Sequence, residues 1–154
     1  MRALAVVAIT GLLLAACGSA APSSPAAPGV VHAVGAENQY ANVIAQIGGR
    51  YVQVAAVESN PNTDPHNFEA SPAVAQELAA AQLVVMNGLG YDNWAPNMLA
   101  ASPARGRLVI DVQTLLALPD STPNPHLWYD PATMPAVAGQ VAVDLASLQP
   151  GHAA

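Results

Sequence analysis

VVHAVGAENQYANVIAQIGGRYVQVAAV, the stretch from Val30 to Val57, sets the fold class of this chain. Val30 to Val34 is rich in β-branched residues, which suit a buried strand. Glu37 to Ile47 then carries apolar side chains at Tyr40, Val43, Ile44 and Ile47, the spacing of one helix face, and Gly48-Gly49 is the usual helix stop. Tyr51 to Val57 is β-branched and aromatic again. A strand, a helix and a second strand in this order predict two parallel strands, because parallel neighbours need a crossover connection.

The alternation continues downstream. Ser71 to Ala81 reads as an alanine-rich helix and Gln82 to Met86 as a buried strand. Asn87-Gly88-Leu89-Gly90 reads as a glycine turn leading to a helix around Trp94 to Ala101. Leu108 to Asp111 is a fourth strand, Gln113 to Leu116 a brief helical turn, and Ala132 to Leu148 a long helix. The expected class is α/β: a four-stranded, mainly parallel sheet with flanking helices, plus the start of a long helix leaving the lobe. In such sheets ligands gather beyond the carboxyl ends of the strands.

Two loops feed that edge with the same frame. Asp64-Pro65-His66 follows the second strand and Asn124-Pro125-His126 follows the fourth, and each histidine is trailed two positions on by an aromatic, Phe68 or Trp128. Each copy then runs into a capping residue and a proline, Ser71-Pro72 or Asp130-Pro131, the signature of a helix start. Proline stiffens the chain beside each imidazole. A lone histidine is more often a loop cap or a packed ring than a ligand, but the repeated frame favours His66 and His126 as metal ligands. Together they would supply half of a four-donor site for Zn²⁺ or Mn²⁺. Phe68 and Trp128 are expected to shield that site, with core packing an equally good account of both. Asp64 and Asp130 are candidate acceptors for the ring N–H groups, although helix capping alone accounts for Asp130. His32, in the first strand, and His152, in the tail, are poor ligand candidates.

Charge and cysteine count narrow the classes. Four arginines and no lysine stand against ten acidic residues, a formal net charge of −6, which argues against nucleic acid as a partner. The single cysteine excludes an intrachain disulfide and an all-thiolate metal site. Residues 1–16 read as an export signal, with Arg2 as its positive end and Ala3 to Leu14 as an apolar stretch too short to span a bilayer. Residues 17–29, rich in Ser, Ala and Pro, read as a flexible tether. The expected organisation continues with a lobe over 30–131 and the start of a connecting helix over 132–149.

Other chemistries find little support. Asn87-Gly88-Leu89-Gly90 has Asn93 where a dinucleotide fingerprint needs its third glycine, and it does not follow the first strand. A metalloprotease His-Glu-x-x-His helix and a Gly-x-Ser-x-Gly elbow are both absent from the sequence.

Leu14-Ala15-Ala16-Cys17 resembles the bacterial lipobox, in which the cysteine is lipidated and becomes the new N-terminus. Ala36-Glu37-Asn38, Ile47-Gly48-Gly49, Asp64-Pro65-His66, Asn87-Gly88-Leu89-Gly90 and Asn124-Pro125-His126-Leu127-Trp128-Tyr129-Asp130 together resemble the metal-binding receptors of zinc and manganese ABC importers. That resemblance implies an extracytoplasmic protein anchored to the membrane at Cys17, with a metal-importing ABC permease as partner. It also implies two α/β lobes joined by a long helix, with metal held between them and His66 and His126 as the first lobe's ligands. The remaining ligands would come from a second lobe that this sequence does not contain, so the chain is expected to be an N-terminal half. The run of His and Asp that many zinc-selective members carry before the second histidine is missing. The resemblance implies binding rather than catalysis. A surface adhesion lipoprotein, a non-functional fragment and a zinc hydrolase are the alternatives.

Overall fold

In a computed structural model, which describes residues 29–60, 62 and 68–153, four strands pair in parallel throughout. They are β1 (Val31–Glu37), β2 (Val52–Glu58), β3 (Leu83–Met86) and β4 (Leu108–Asp111), ordered β2-β1-β3-β4. Register is continuous across the sheet, with Ala33 opposite both Val54 and Leu83, and Leu83 opposite Leu108.

The order dictates where the helices lie. The step from β1 to β2 runs one way across the sheet, and the steps to β3 and β4 run the other. Right-handed crossovers therefore put the first helix on one face and the next two on the opposite face. On the first face Val31, Ala33, Leu83, Val85 and Ile110 meet Tyr40 and Ile44 of α1 (Asn38–Gly48) and Val137, Val141 and Leu145 of α5 (Thr133–Leu148). On the second face Val34 and Val84 meet Leu78 of α2 (Pro72–Ala80), with Met98 and Leu99 of α3 (Trp94–Ala101) against them. Strand side chains alternate between two dry cores, which is why β1 and β3 are apolar at nearly every position. Val109, on the second face of the edge strand, is left 44% exposed.

Strand β1 continues past Val34 through Gly35, Ala36 and Glu37, and α1 begins at Asn38 rather than at Glu37. Gly35 reads as a breaker but has a packing reason: a Cβ there would stand 2.4 Å from the Ala41 backbone nitrogen and 2.7 Å from its Cα. Its bareness lets the start of α1 lie on the strand. The two helix starts also differ. Ser71 caps α2 as expected, its Oγ accepting from Val74 N–H with Pro72 as the first helical residue. Asp130 does not cap the last helix. A 3₁₀ turn over Leu127–Tyr129 intervenes, the Asp130 carboxylate accepts from Ala132 N–H at 2.9 Å, and α5 starts at Thr133. The short helix α4 (Val112–Leu115) is capped by Asp111, whose side chain accepts from Thr114 N–H at 2.7 Å.

Candidate metal centre

Strands β1 and β3 are neighbours whose connections leave for opposite faces, so their carboxyl ends open a crevice of the kind that binds ligands in parallel sheets. Glu37 ends β1 and Asn87 follows β3, and both are buried. The glycine turn after β3 is held from below: the Asp92 carboxylate accepts from Asn87 N–H at 2.6 Å and from Gly88 N–H at 3.0 Å. Gly88 has φ +79°, and a Cβ there would meet Gln113 Cβ at 2.8 Å. Gln113 in turn accepts from Leu89 N–H at 2.8 Å, tying this turn to the segment that leads toward His126.

His126 is half-buried at this edge. Its Nδ1 lies 2.9 Å from Asn124 Oδ1, and the same oxygen accepts from the His126 backbone N–H at 3.0 Å. An amide oxygen can only accept, so Nδ1 is the donor of this pair, and in the neutral ring Nε2 then carries the lone pair that a metal could take. Rings enclose the imidazole. Tyr91 meets it edge-on at 5.3 Å and Trp128 at 5.5 Å, and these two meet each other at 5.0 Å. Trp128 also packs edge-on against Tyr40 at 6.3 Å, and its buried Nε1 has no acceptor among the described residues.

The floor is acidic. Glu37 is 2% exposed, and burial first, with the Asp92 and Glu58 charges after it, pushes its carboxyl up to about 9. Two carboxylates could only repel. Neither Glu37 oxygen has a hydrogen-bond partner among the described residues to stabilise the charged form, so the neutral form is favoured. Burial likewise raises Asp92, against the pull of the N–H groups of Asn87 and Gly88. Glu58, at the end of β2, accepts from Trp94 Nε1 at 2.7 Å.

The expected site residues are placed unevenly. His126 and Trp128 come together, whereas Phe68 packs on Trp94 at 5.2 Å, and Trp94 lies against the cluster of the opposite face. The acceptor of the His126 ring proton is Asn124 rather than Asp130, whose carboxylate is spent on Ala132 N–H. His66, Asp64 and Cys17 lie outside the described residues, although the strand leading to His66 ends at this same edge. Among the described residues no three His, Cys, Asp or Glu side chains converge as a metal site. His152 stacks on Tyr51 at 3.9 Å, at the far end of β2, and His32 lies within β1. Sequence reasoning missed Tyr91, Asn124 and Asn87 as parts of the site. Asn124 was in plain view as the first residue of the repeated frame.

The family model for the zinc-uptake complex component A, periplasmic, matches residues 34–154. The chain belongs to this family. A putative metal-binding protein of Thermotoga maritima is 33% identical over 94 residues, 61% of this chain and 33% of that protein. The manganese-binding lipoprotein MntA of Bacillus subtilis is 24% identical over 122 residues, 75% of this chain and 40% of that protein. Among solved structures, the periplasmic zinc-binding protein TroA of Treponema pallidum superposes with a TM-score of 0.67 at 23% identity, over 81% of this chain and 47% of that one. The Mn²⁺ complex of FpvC from Pseudomonas aeruginosa gives 0.66 at 23% identity, over 80% of this chain and 46% of that one. These structures share the fold. The chain spans between a third and a half of the length of these relatives.

Proposed function

We propose that this chain is the metal-receiving N-terminal lobe of an extracytoplasmic solute-binding lipoprotein, which captures a divalent transition metal, Zn²⁺ or Mn²⁺, and passes it to the permease of an ABC importer. The observation that carries this reading is His126: Asn124 accepts from its Nδ1, its Nε2 has no partner among the described residues, and it stands at the carboxyl edge of a parallel sheet in a chain of this family. Relatives described as zinc- or manganese-binding support the class of cargo. His66 would be the second ligand of the lobe, with Asp64 as the candidate acceptor for its ring N–H. The ion is cargo, so no bond is made or broken. Binding needs only preorganised donors and a shell that keeps them dry, a task that Trp128 and Tyr91 serve. Cys17 carries the lipid that keeps the receptor beside its permease.

Competition of the mature chain against a fluorescent zinc chelator tests the ligand assignment. Two imidazoles should bind Zn²⁺ in the micromolar range or weaker, well short of a complete four-donor site, and His66→Ala with His126→Ala should abolish that binding. Affinity that survives the double substitution unchanged would remove both histidines from the site.

A further inference from the structure

One buried side chain beside the site has a pattern of bonds that the ligand set does not explain. Asn87 is fully buried, and every polar atom it owns is paired. Its backbone N–H goes to Asp92 at 2.6 Å, and its backbone carbonyl accepts from Gln113 N–H at 3.1 Å. Its side-chain nitrogen faces two carbonyls, Gly88 O at 3.0 Å and Pro125 O at 2.8 Å. Carbonyls only accept, so this atom is the donor and the amide orientation is settled. The remaining oxygen then accepts from the Tyr40 hydroxyl at 2.7 Å.

The contact with Pro125 is the consequential one. Pro125 O and His126 N belong to one planar peptide unit. Asn87 and the Leu127 N–H, at 2.8 Å, hold its oxygen and Asn124 holds its N–H at 3.0 Å, so the plane is pinned from both ends, with Asn87 the one contact that ties it to the sheet. Pinning that plane sets the direction in which the His126 side chain leaves the backbone. Beneath it, the Tyr40 hydroxyl fixes the carboxamide to α1, and the Asn87 backbone fixes it to β3. The imidazole is thereby referred to the rigid sheet, although it rides on a loop.

We propose that Asn87 is a positioning residue for the metal site, its buried carboxamide aiming His126 Nε2 by holding the Pro125 carbonyl, with Tyr40 as its anchor. The assignment rests on reading His126 as a metal ligand. Aspartate is the informative replacement, since it keeps the size and the oxygen toward Tyr40 but turns an acceptor toward Pro125 O and Gly88 O.

The experiment compares the unsubstituted chain with His126→Ala, Asn87→Asp and Tyr40→Phe. Each is assayed for Zn²⁺ affinity by chelator competition, and the metal-free forms for His126 ring nitrogen shifts by long-range proton–nitrogen correlation. His126→Ala should weaken Zn²⁺ binding, and Asn87→Asp should weaken it by about tenfold or more, the usual effect of losing an outer hydrogen-bond partner. Asn87→Asp should also move the His126 ring nitrogens away from a fixed Nδ1–H pattern, a change that lost stability elsewhere in the fold would not produce. Tyr40→Phe, which keeps the ring packing, should act in the same direction by about threefold. Unchanged Zn²⁺ affinity and ring shifts in Asn87→Asp, with His126→Ala still weakened, overturn the positioning role and leave the ligand reading intact. Unchanged affinity in His126→Ala overturns the ligand reading, and the positioning role with it. If Asn87→Asp does not fold, Tyr40→Phe decides: unaltered His126 shifts and affinity there overturn the proposal.

Discussion

His126 illustrates how one neighbour decides what a titratable side chain can do. Asn124 accepts both the ring proton and the backbone N–H, and the free nitrogen follows from that arrangement. Asn124→Ala should release the ring to both tautomers and weaken Zn²⁺ binding by about tenfold or more; a variant whose ring nitrogens still show a fixed Nδ1–H would refute this. Glu37 illustrates the opposite case, a carboxyl that the fold keeps neutral. Its value of about 9 in the folded chain lies above its ordinary 4.5, so between those limits the folded state holds a proton that the unfolded chain has lost. The stability from this proton is complete below pH ~4.5 and drains as pH rises toward ~9, by at most about 1.4 kcal/mol per pH unit. Glu37→Gln stays neutral at every pH. Urea unfolding should find it close to the unsubstituted chain at pH 5 and clearly more stable at pH 8.5; parallel pH profiles would show that Glu37 is not held neutral.

At the scale of elements, glycines carry information that their usual reading as breakers hides. Gly35 lies inside β1 because α1 crosses it closely, whereas Gly139 lies inside α5 with nothing within 4 Å of a Cβ. Gly35→Ala should therefore cost about 1–3 kcal/mol through overpacking. Gly139→Ala should gain about 0.5–1 kcal/mol from helix propensity. Thermal unfolding separates the two, and equal shifts would contradict the packing account. The same contrast explains which element boundaries were legible. The extents of β3, α3 and β4 follow closely from periodicity and flanking turns, because local pattern and burial agree there. The end of β1 and the cap of α5 do not, since one depends on a neighbouring helix and the other on a 3₁₀ turn that borrows the expected capping residue.

On the scale of the whole molecule, acidic side chains gather at the edge that holds the candidate site. Glu58, Asp92 and Asp111 lie at or just beyond the carboxyl ends of their strands, beside the neutral Glu37, while Arg50 and Arg107 precede β2 and β4 at the other edge. A cation approaching the candidate site thus meets acidic side chains. No helix among the described residues is long and apolar enough to cross a membrane. In cells, Cys17→Ser should abolish incorporation of labelled fatty acid and release the chain from the membrane fraction; labelling that persists in Cys17→Ser would place the lipid elsewhere.

Sequence alone determined the α/β class, the parallel strands and the repeated proline-histidine frame. Each of these is written locally, in periodicity, in β-branched runs and in a motif of consecutive residues. Only the tertiary structure decided that the Asn87 carboxamide joins Tyr40 to the Pro125 carbonyl beside His126, that Glu37 is buried with its carboxyl raised to about 9, and that Phe68 packs with Trp94 while Trp128 packs with His126. Those facts depend on which distant residues the crossovers bring to one edge. Neither a hydrogen bond between residues 38 positions apart nor a pKa set by burial leaves a local trace in the chain.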